Sequence, residues 1–222
     1  YGGNDSNGDD KNPAGMVYEA IKLAKQQNPS LNFKNYDWNN DGEVDQVYLI
    51  YAGYGESSDE DGSLANTIWP HEWQLSAANY KLSYDGVTID TYGCSPELLG
   101  NESYPVQMDG IGTACHEFSH CLGLPDLYDT SGSSNSAFGM DAWSLMDYGC
   151  YSDDGYKPTG YTSYERWMSG WLTPKRLTEA TTITNMAALT ESPEAYIIYN
   201  DNYPDEYYLL ENRQQTGSDP MI

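Results

Sequence analysis

The chain has 222 residues, and 10 Lys plus Arg against 34 Asp plus Glu leave a net charge of -24. A phosphate-binding surface needs the opposite sign, which argues against nucleic acid and against an anionic membrane as partners. No apolar run approaches the roughly 18 residues of a spanning helix, in keeping with a mean hydropathy of -0.68.

Chains this acidic are often disordered, but 21 Tyr and 6 Trp supply the apolar material of a packed core. The length suits one large domain, or one domain plus the start of another. Abundant Tyr, Gly, Asn and Asp with few Lys fit a secreted or extracytoplasmic protein. The opening Tyr1-Gly2-Gly3-Asn4-Asp5-Ser6 contains no signal peptide and reads as an interdomain junction or a processed end.

Asn12-Pro13 reads as the N-cap and first-turn proline of a helix. Met16, Val17, Ala20, Ile21, Leu23 and Ala24 form its apolar face, and Asn28-Pro29 ends it. Residues 44–51, VDQVYLIY, read as a mostly buried strand leading into the Gly-containing loop AGYGE. Further strands of the same sheet are expected at 67–73 and 87–92, the second entered through the turn Tyr84-Asp85-Gly86. Residues 109–122 read as a helix whose core face carries Ile111, Cys115, Phe118 and Leu122. A loop rich in Gly, Ser, Asp and Tyr fills 123–160. A short helix at 163–171 then turns Trp167 and Met168 to the core and stops at Gly170 and Pro174. Residues 181–185, 196–199 and 207–211 read as strands of an unfinished sheet.

The chemistry concentrates in CHEFSHCLGLPDLYD, residues 115–129. On a helix, His116 and His120 project from one face a turn apart, with Glu117 beside them, in the HExxH arrangement. Two imidazoles so spaced can take two corners of a zinc tetrahedron, while the glutamate can reach a water at the metal without ligating it. Such a triplet arises by chance on the order of two times in a thousand in a chain with so few histidines. The bland alternative is a pair of surface histidines with no metal. For a third ligand, Gly123 suits a left-handed helix end, after which Asp126 can turn its carboxylate to the metal, giving HExxHxxGxxD. His71 in TIWPHEW and Glu165 are the alternatives. His71 cannot begin a second HExxH because Leu75 stands where the second histidine is needed, and it reads equally as a packed or cleft-lining residue.

Cys94, Cys115, Cys121 and Cys150 include no CxxC pair. Cys115 and Cys121 on one helix would stand about 9 Å apart along its axis, too far for one bridge. Any disulfides would link that helix to Cys94 and Cys150; buried thiols are the alternative.

HEFSHCLGLPDLYD, with AWSLMDYGCY downstream, TIWPHEW and DGEVDQVYLIYAGYGE upstream, and YYLLENRQQTG near the end, resembles the immune inhibitor A family of secreted bacterial zinc metallopeptidases. The similarity covers nearly the whole chain. It implies a metzincin-like catalytic domain: a twisted sheet with an edge strand above the cleft, an active-site helix beneath, and a loop-rich lower half ending in a helix. It implies that Met146 forms a methionine turn under the zinc and that Tyr148 lies near the metal and the oxyanion. Ser119 departs from the Gly of many relatives, and the cysteines flanking the motif are not part of it. The chain stops soon after ENRQQTG, where relatives continue, as an incomplete piece would.

A second motif is DWNNDGEVDQVY. Asp37, Asn39, Asp41 and Gly42 match positions 1, 3, 5 and 6 of a calcium loop, Glu43 offers a backbone carbonyl at position 7, and Asp45 falls at position 9. Tyr48 replaces the bidentate Glu of position 12, and the loop leads into a strand. The alternative is an Asx-rich turn. Asp59-Glu60-Asp61 and Asp153-Asp154 read as solvated charges.

Together these features describe an α+β chain of the zincin or metzincin type, with a twisted mixed sheet, an active-site helix, a loop-rich lower half and a β-rich C-terminal segment. Residues 1–175 are expected to form a zinc metallopeptidase catalytic domain, and 176–222 an incomplete β-rich segment. The expected activity is zinc-dependent endoproteolysis of proteins and peptides, secreted or at a bacterial cell surface, without nucleic acid or membrane insertion. In that reading His116, His120 and Asp126 hold Zn2+, Glu117 is the general base, Tyr148 assists the oxyanion, and Ca2+ occupies the loop of Asp37, Asn39, Asp41, Glu43 and Asp45. The competing reading is a calcium-dependent extracellular binding or adhesion module with a vestigial HExxH. It accounts for the acidity and the Asp loop but not for Glu117.

Overall fold

The computed structural model describes residues 1–58, 62–101, 106–131 and 138–216. The acidic run Asp59-Glu60-Asp61 lies outside the described residues. The chain is a mixed α and β structure with small sheets and few helices, in two compact units, Tyr1–Asp109 and Gly110–Ile222.

In the first unit the Asn12 side chain accepts the Gly15 amide at 3.1 Å and opens α1 (Pro13–Gln27). The first amides of a helix have no internal partner, so this cap satisfies one of them. Ala14, Val17 and Ile21, at spacings of three and four, are its buried stripe. Leu23, expected among them, is exposed, because two residues beyond Ile21 the helix has rotated by about 200°.

Five strands follow: β1 (Val47–Tyr54), β2 (His71–Gln74), β3 (Leu82–Tyr84), β4 (Val87–Ile89) and β5 (Thr91–Leu99), with β6 (Gln107–Met108) after them. β1 runs parallel to β5, and β2 pairs antiparallel on the other side of β5, giving the order β1, β5, β2. β6 extends the far end of β5. β1 begins three residues later than its apolar pattern suggests, since the Val44 and Asp45 amides bond to the carbonyls of Thr88 and Tyr36. It also runs on into the expected AGYGE loop as far as Tyr54, with Gly53 at φ 91° in the register shift between Tyr51 and Tyr54.

The strand expected at 87–92 divides at Asp90, whose carboxylate takes both the amide and the hydroxyl of Ser76 at 2.7 Å. β4 therefore closes a separate hairpin with β3, and only the residues from Thr91 onward join the main sheet. The hairpin turn is the expected one, Asp85-Gly86 both having positive φ, which matches the twist of the flanking strands. Val17, Ile21, Phe33, Leu75, Ile89, Tyr92 and Cys94 pack in one core. Burying each of the larger aliphatic chains contributes about 1.5–3 kcal/mol.

The second unit holds α2 (Ile111–Cys121), α3 (Ser163–Met168), β7 (Lys175–Arg176), β8 (Tyr196–Asn200) and β9 (Tyr203–Leu210). The last three form a sheet in that order, β7 parallel and β9 antiparallel to β8. Residues 181–185 form no strand despite their β-prone composition; they are largely exposed, and Asn185 is left-handed at φ 58°. Trp167 packs on the cluster of Leu172, Leu189 and Ala195, whereas Met168, expected beside it, is exposed. The four cysteines form no disulfide among the described residues. No helix of the described residues is long and apolar enough to cross a membrane.

Candidate metal centre

α2 is seated with the opposite face inward from the one its apolar spacing suggests. Gly112, Thr113, His116, Glu117 and Ser119 are buried, while Ile111, Phe118 and Leu122 are exposed. The reason lies in what meets the helix. The Gly112 amide donates to the Gly155 carbonyl at 2.9 Å, and a Cβ at Gly112 would stand 1.8 Å from the Cys150 carbonyl oxygen. Ser119 is completely buried, its hydroxyl bonded to the Cys115 carbonyl and the Tyr161 hydroxyl at 2.6 Å each.

Gly112→Ala, a change that favours an open helix by about 1 kcal/mol, should here lower stability by about 2 kcal/mol, because backbone must move to admit the methyl. Urea unfolding measures it, and an unchanged or higher midpoint would show that α2 is not seated on the Cys150 carbonyl.

The same seating positions both imidazoles. His116 Nδ1 donates to the Leu145 carbonyl at 2.9 Å and His120 Nδ1 to the Leu124 carbonyl at 2.8 Å. A carbonyl can only accept, so each ring presents its Nε2 as a lone pair. The helix ends where expected: Gly123 is left-handed at φ 88°, with its amide on the His120 carbonyl. The chain then returns so that Asp126 Oδ1 lies 3.2 Å from both Nε2 atoms, which are themselves 3.2 Å apart. Among the described residues this is the cluster of His, Cys, Asp and Glu close enough to share a metal ion.

A cation fits this triangle. Ligand atoms of a zinc tetrahedron with bonds of about 2.0 Å stand about 3.3 Å apart. Asp126 Oδ1 is buried with no hydrogen-bond donor, as follows when both neighbouring Nε2 atoms carry lone pairs. Three electron-rich atoms held this close call for positive charge at their centre. A proton competes with a metal cation for this place: burial opposes a charged His116, yet Asp126, Cys150 and the Leu145 carbonyl outweigh it and raise the imidazole to about 11. Burial likewise opposes charge on Asp126, but the two histidines hold its carboxyl well below the usual carboxylate range.

Met146 is fully buried, and its carbonyl accepts the Leu127 amide at 2.8 Å. Tyr148, two residues on, is 66% exposed and sets its ring edge against Tyr151. Asp147 between them is buried and accepts the amides of Asp141 and Tyr148 at 2.6 and 2.8 Å.

Residues 1–176 match the family described as immune inhibitor A peptidase M6, catalytic domain. The chain belongs to the immune inhibitor A peptidase family. It is 27% identical over 179 residues to immune inhibitor A of Bacillus thuringiensis subsp. alesti, an alignment covering 73% of this chain and 26% of that protein. It is 28% identical over 185 residues to the pre-pro-metalloprotease PrtV of Vibrio cholerae serotype O1, covering 75% of this chain and 20% of that protein. The aligned region is therefore about a quarter to a fifth of the length of these relatives.

In this peptidase-family chain the two alternatives to Asp126 are otherwise engaged. His71 uses Nδ1 on the Trp69 carbonyl at 2.7 Å and Nε2 on the Tyr92 hydroxyl at 2.9 Å, in keeping with a packed residue. Glu165 is fully buried and bonded to Ser144, Met146 and Thr162. Two tyrosines that the sequence did not single out stand near Glu117. Burial first, then Asp126 and Glu117, push Tyr128 up to about 12, and burial with the charges of Cys150 and Glu117 raises Tyr151. Tyr128 could have been suspected from its place two residues after Asp126; nothing local marks Tyr151.

The loop at 37–45 is built from Asx turns. Asp37 Oδ2 accepts Gly42 N at 3.2 Å, Asn39 Oδ1 accepts Asp41 N at 2.9 Å, Asp41 Oδ1 accepts Glu43 N at 2.8 Å, and Asp45 Oδ2 accepts Trp38 N at 2.6 Å. Burial, then Asp90 and Asp41, push the Glu43 carboxyl up. Asp37, Asp41 and Asp45 are not gathered into a metal-sized cluster among the described residues. Asp37 Oδ1 is nevertheless buried with no hydrogen-bond partner. Asp153 and Asp154 are exposed, the former paired with Lys157 at 2.8 Å.

Proposed function

We propose that this chain is the catalytic part of a secreted zinc endopeptidase. The observation that carries the reading is the 3.2 Å triangle of His116, His120 and Asp126, with lone pairs directed inward. The family membership and the word metalloprotease in the name of a relative support it. We assign the catalytic domain to residues 1–175 and a β-rich segment to 176–222, in a metzincin-like architecture.

His116, His120 and Asp126 would hold the zinc, whose Lewis acidity would polarise the scissile carbonyl and lower the pKa of the attacking water. Glu117, next to His116 and buried on the same face of α2, takes the proton of that water and passes it to the departing amine. Met146 underlies the ligands as a methionine turn. Tyr148, whose exposure leaves its side chain room to reach substrate, donates its hydroxyl to the developing oxyanion.

Metal analysis combined with a casein cleavage assay tests this. About one zinc per chain is expected, with cleavage abolished by a strong chelator and restored by zinc. A well-folded chain that binds no zinc and cuts nothing would instead favour the adhesion-module reading.

The second proposal is calcium in the Asp37 loop, favoured by the unpartnered, buried Asp37 Oδ1. Calcium bound there stabilises the entry to β1 by mass action. Added calcium should raise the melting temperature, and Asp41→Ala should abolish the rise without changing zinc content. The same calcium response in that variant would place the ion elsewhere.

A further inference from the structure

Glu165 has more hydrogen bonds than its place in α3 requires. As the third residue of a capping box it accepts the Thr162 amide on Oε2 at 2.5 Å, and its own amide donates to the Thr162 hydroxyl oxygen at 3.2 Å. Such a cap uses one carboxylate oxygen and normally sits at a surface. Here the side chain is fully buried, and the other oxygen, Oε1, accepts the Ser144 hydroxyl at 2.8 Å and the Met146 amide at 3.2 Å. Ser144 is itself fully buried, and its hydroxyl also accepts the Met146 amide at 3.0 Å. Residues 144 and 146 are thus tied to one carboxylate.

The backbone between and beside those two bonds holds the metal centre. The Leu145 carbonyl receives His116 Nδ1 at 2.9 Å, which fixes the ring so that Nε2 faces Asp126. The Met146 carbonyl receives the amide of Leu127, the residue after Asp126, at 2.8 Å. Three consecutive residues therefore orient one imidazole and anchor the loop bearing the carboxylate, and Glu165 fixes all three. We infer that Glu165 is a positioning residue for the metal centre, acting through the segment Ser144-Leu145-Met146 and not by ligating the ion.

The inference rests on the zinc reading, and one set of measurements separates the two. Zinc dissociation constants are measured by competition with a chelating indicator for the whole chain, for Glu165→Gln, and for Ile197→Ala, a cavity in β8 that lowers stability away from residues 144–146. In Glu165→Gln one of the two carboxylate oxygens becomes an NH2 group that meets donors, whether the Ser144 hydroxyl and Met146 amide or the Thr162 amide and hydroxyl. The expected result is zinc affinity weaker by roughly 10- to 100-fold, the range for groups that orient a ligand. Ile197→Ala should lower the melting temperature and keep the wild-type affinity.

If Glu165→Gln lowers melting temperature but binds zinc within about two-fold of wild type, Glu165 is a helix cap only and the inference is overturned. Should Glu165→Gln not fold, Ser144→Ala removes one donor from Oε1 while leaving the cap, and should weaken zinc several-fold; unchanged affinity there overturns the inference too. A wild-type chain without zinc affinity would defeat the zinc reading itself.

Discussion

Glu117→Ala should yield a folded chain that keeps its zinc and cleaves peptide bonds about 100- to 10,000-fold more slowly, the range for removing a positioned proton acceptor. Glu117 lies outside the cluster of His116, His120 and Asp126, so the ligands survive the change. It is only 8% exposed, which limits bulk water as a substitute acceptor. The loss should fall on kcat and kcat/KM together, since the proton is in flight only in the transition state. Turnover of a fluorogenic peptide and zinc content, measured on the same preparation, check it. A zinc-loaded variant with near wild-type turnover would remove Glu117 from the mechanism; a variant that has lost its zinc would show instead that this carboxylate holds the metal.

Asp126→Ala should weaken zinc by more than about 100-fold, beyond what a group that merely orients a ligand costs, and abolish cleavage at ordinary zinc concentrations. Its carboxylate is the only anion within the triangle of ligand atoms, and Oδ1 stands 3.2 Å from each Nε2. Without it two lone pairs face each other across 3.2 Å with no negative charge to offset a dication. Asp126→Asn keeps the shape and an oxygen but removes the charge, and should fall between the two. Zinc titration of the three chains decides the matter; wild-type affinity in Asp126→Ala would return the third position to His71 or to another carboxylate.

Much of the candidate centre was legible because its geometry is local. HExxH puts two imidazoles a turn apart whatever surrounds the helix, and Gly123, left-handed at φ 88°, ends that helix at a fixed distance from His120. Asp126 follows within one short loop, so few conformations separate it from the histidines. Helix caps were equally readable: Asn12 and the reversal at Asp85-Gly86 depend on side chains and dihedrals within a few residues. Thr162 and Glu165 also spell a capping box, but nothing in that spacing tells where the second carboxylate oxygen goes.

The sequence by itself determined which residues could meet a metal and where the helix that carries them begins and ends, because those outcomes follow from backbone chemistry within a turn or two. Tertiary structure alone decided which face of that helix is buried. Apolar spacing put Ile111, Phe118 and Leu122 inside, and they are exposed; His116 and Ser119 are buried because Leu145 and Tyr161, far along the chain, supply their hydrogen-bond partners. The strand limits show the same effect, since Val44 and Asp90 match the strand pattern but the Val44 amide bonds to the Thr88 carbonyl and the Asp90 carbonyl to the Leu75 amide. A polar side chain can be buried only where distant groups satisfy it, and a run of residues can join a sheet only while its amides remain uncommitted, so both outcomes depend on neighbours that only the folded chain brings into reach.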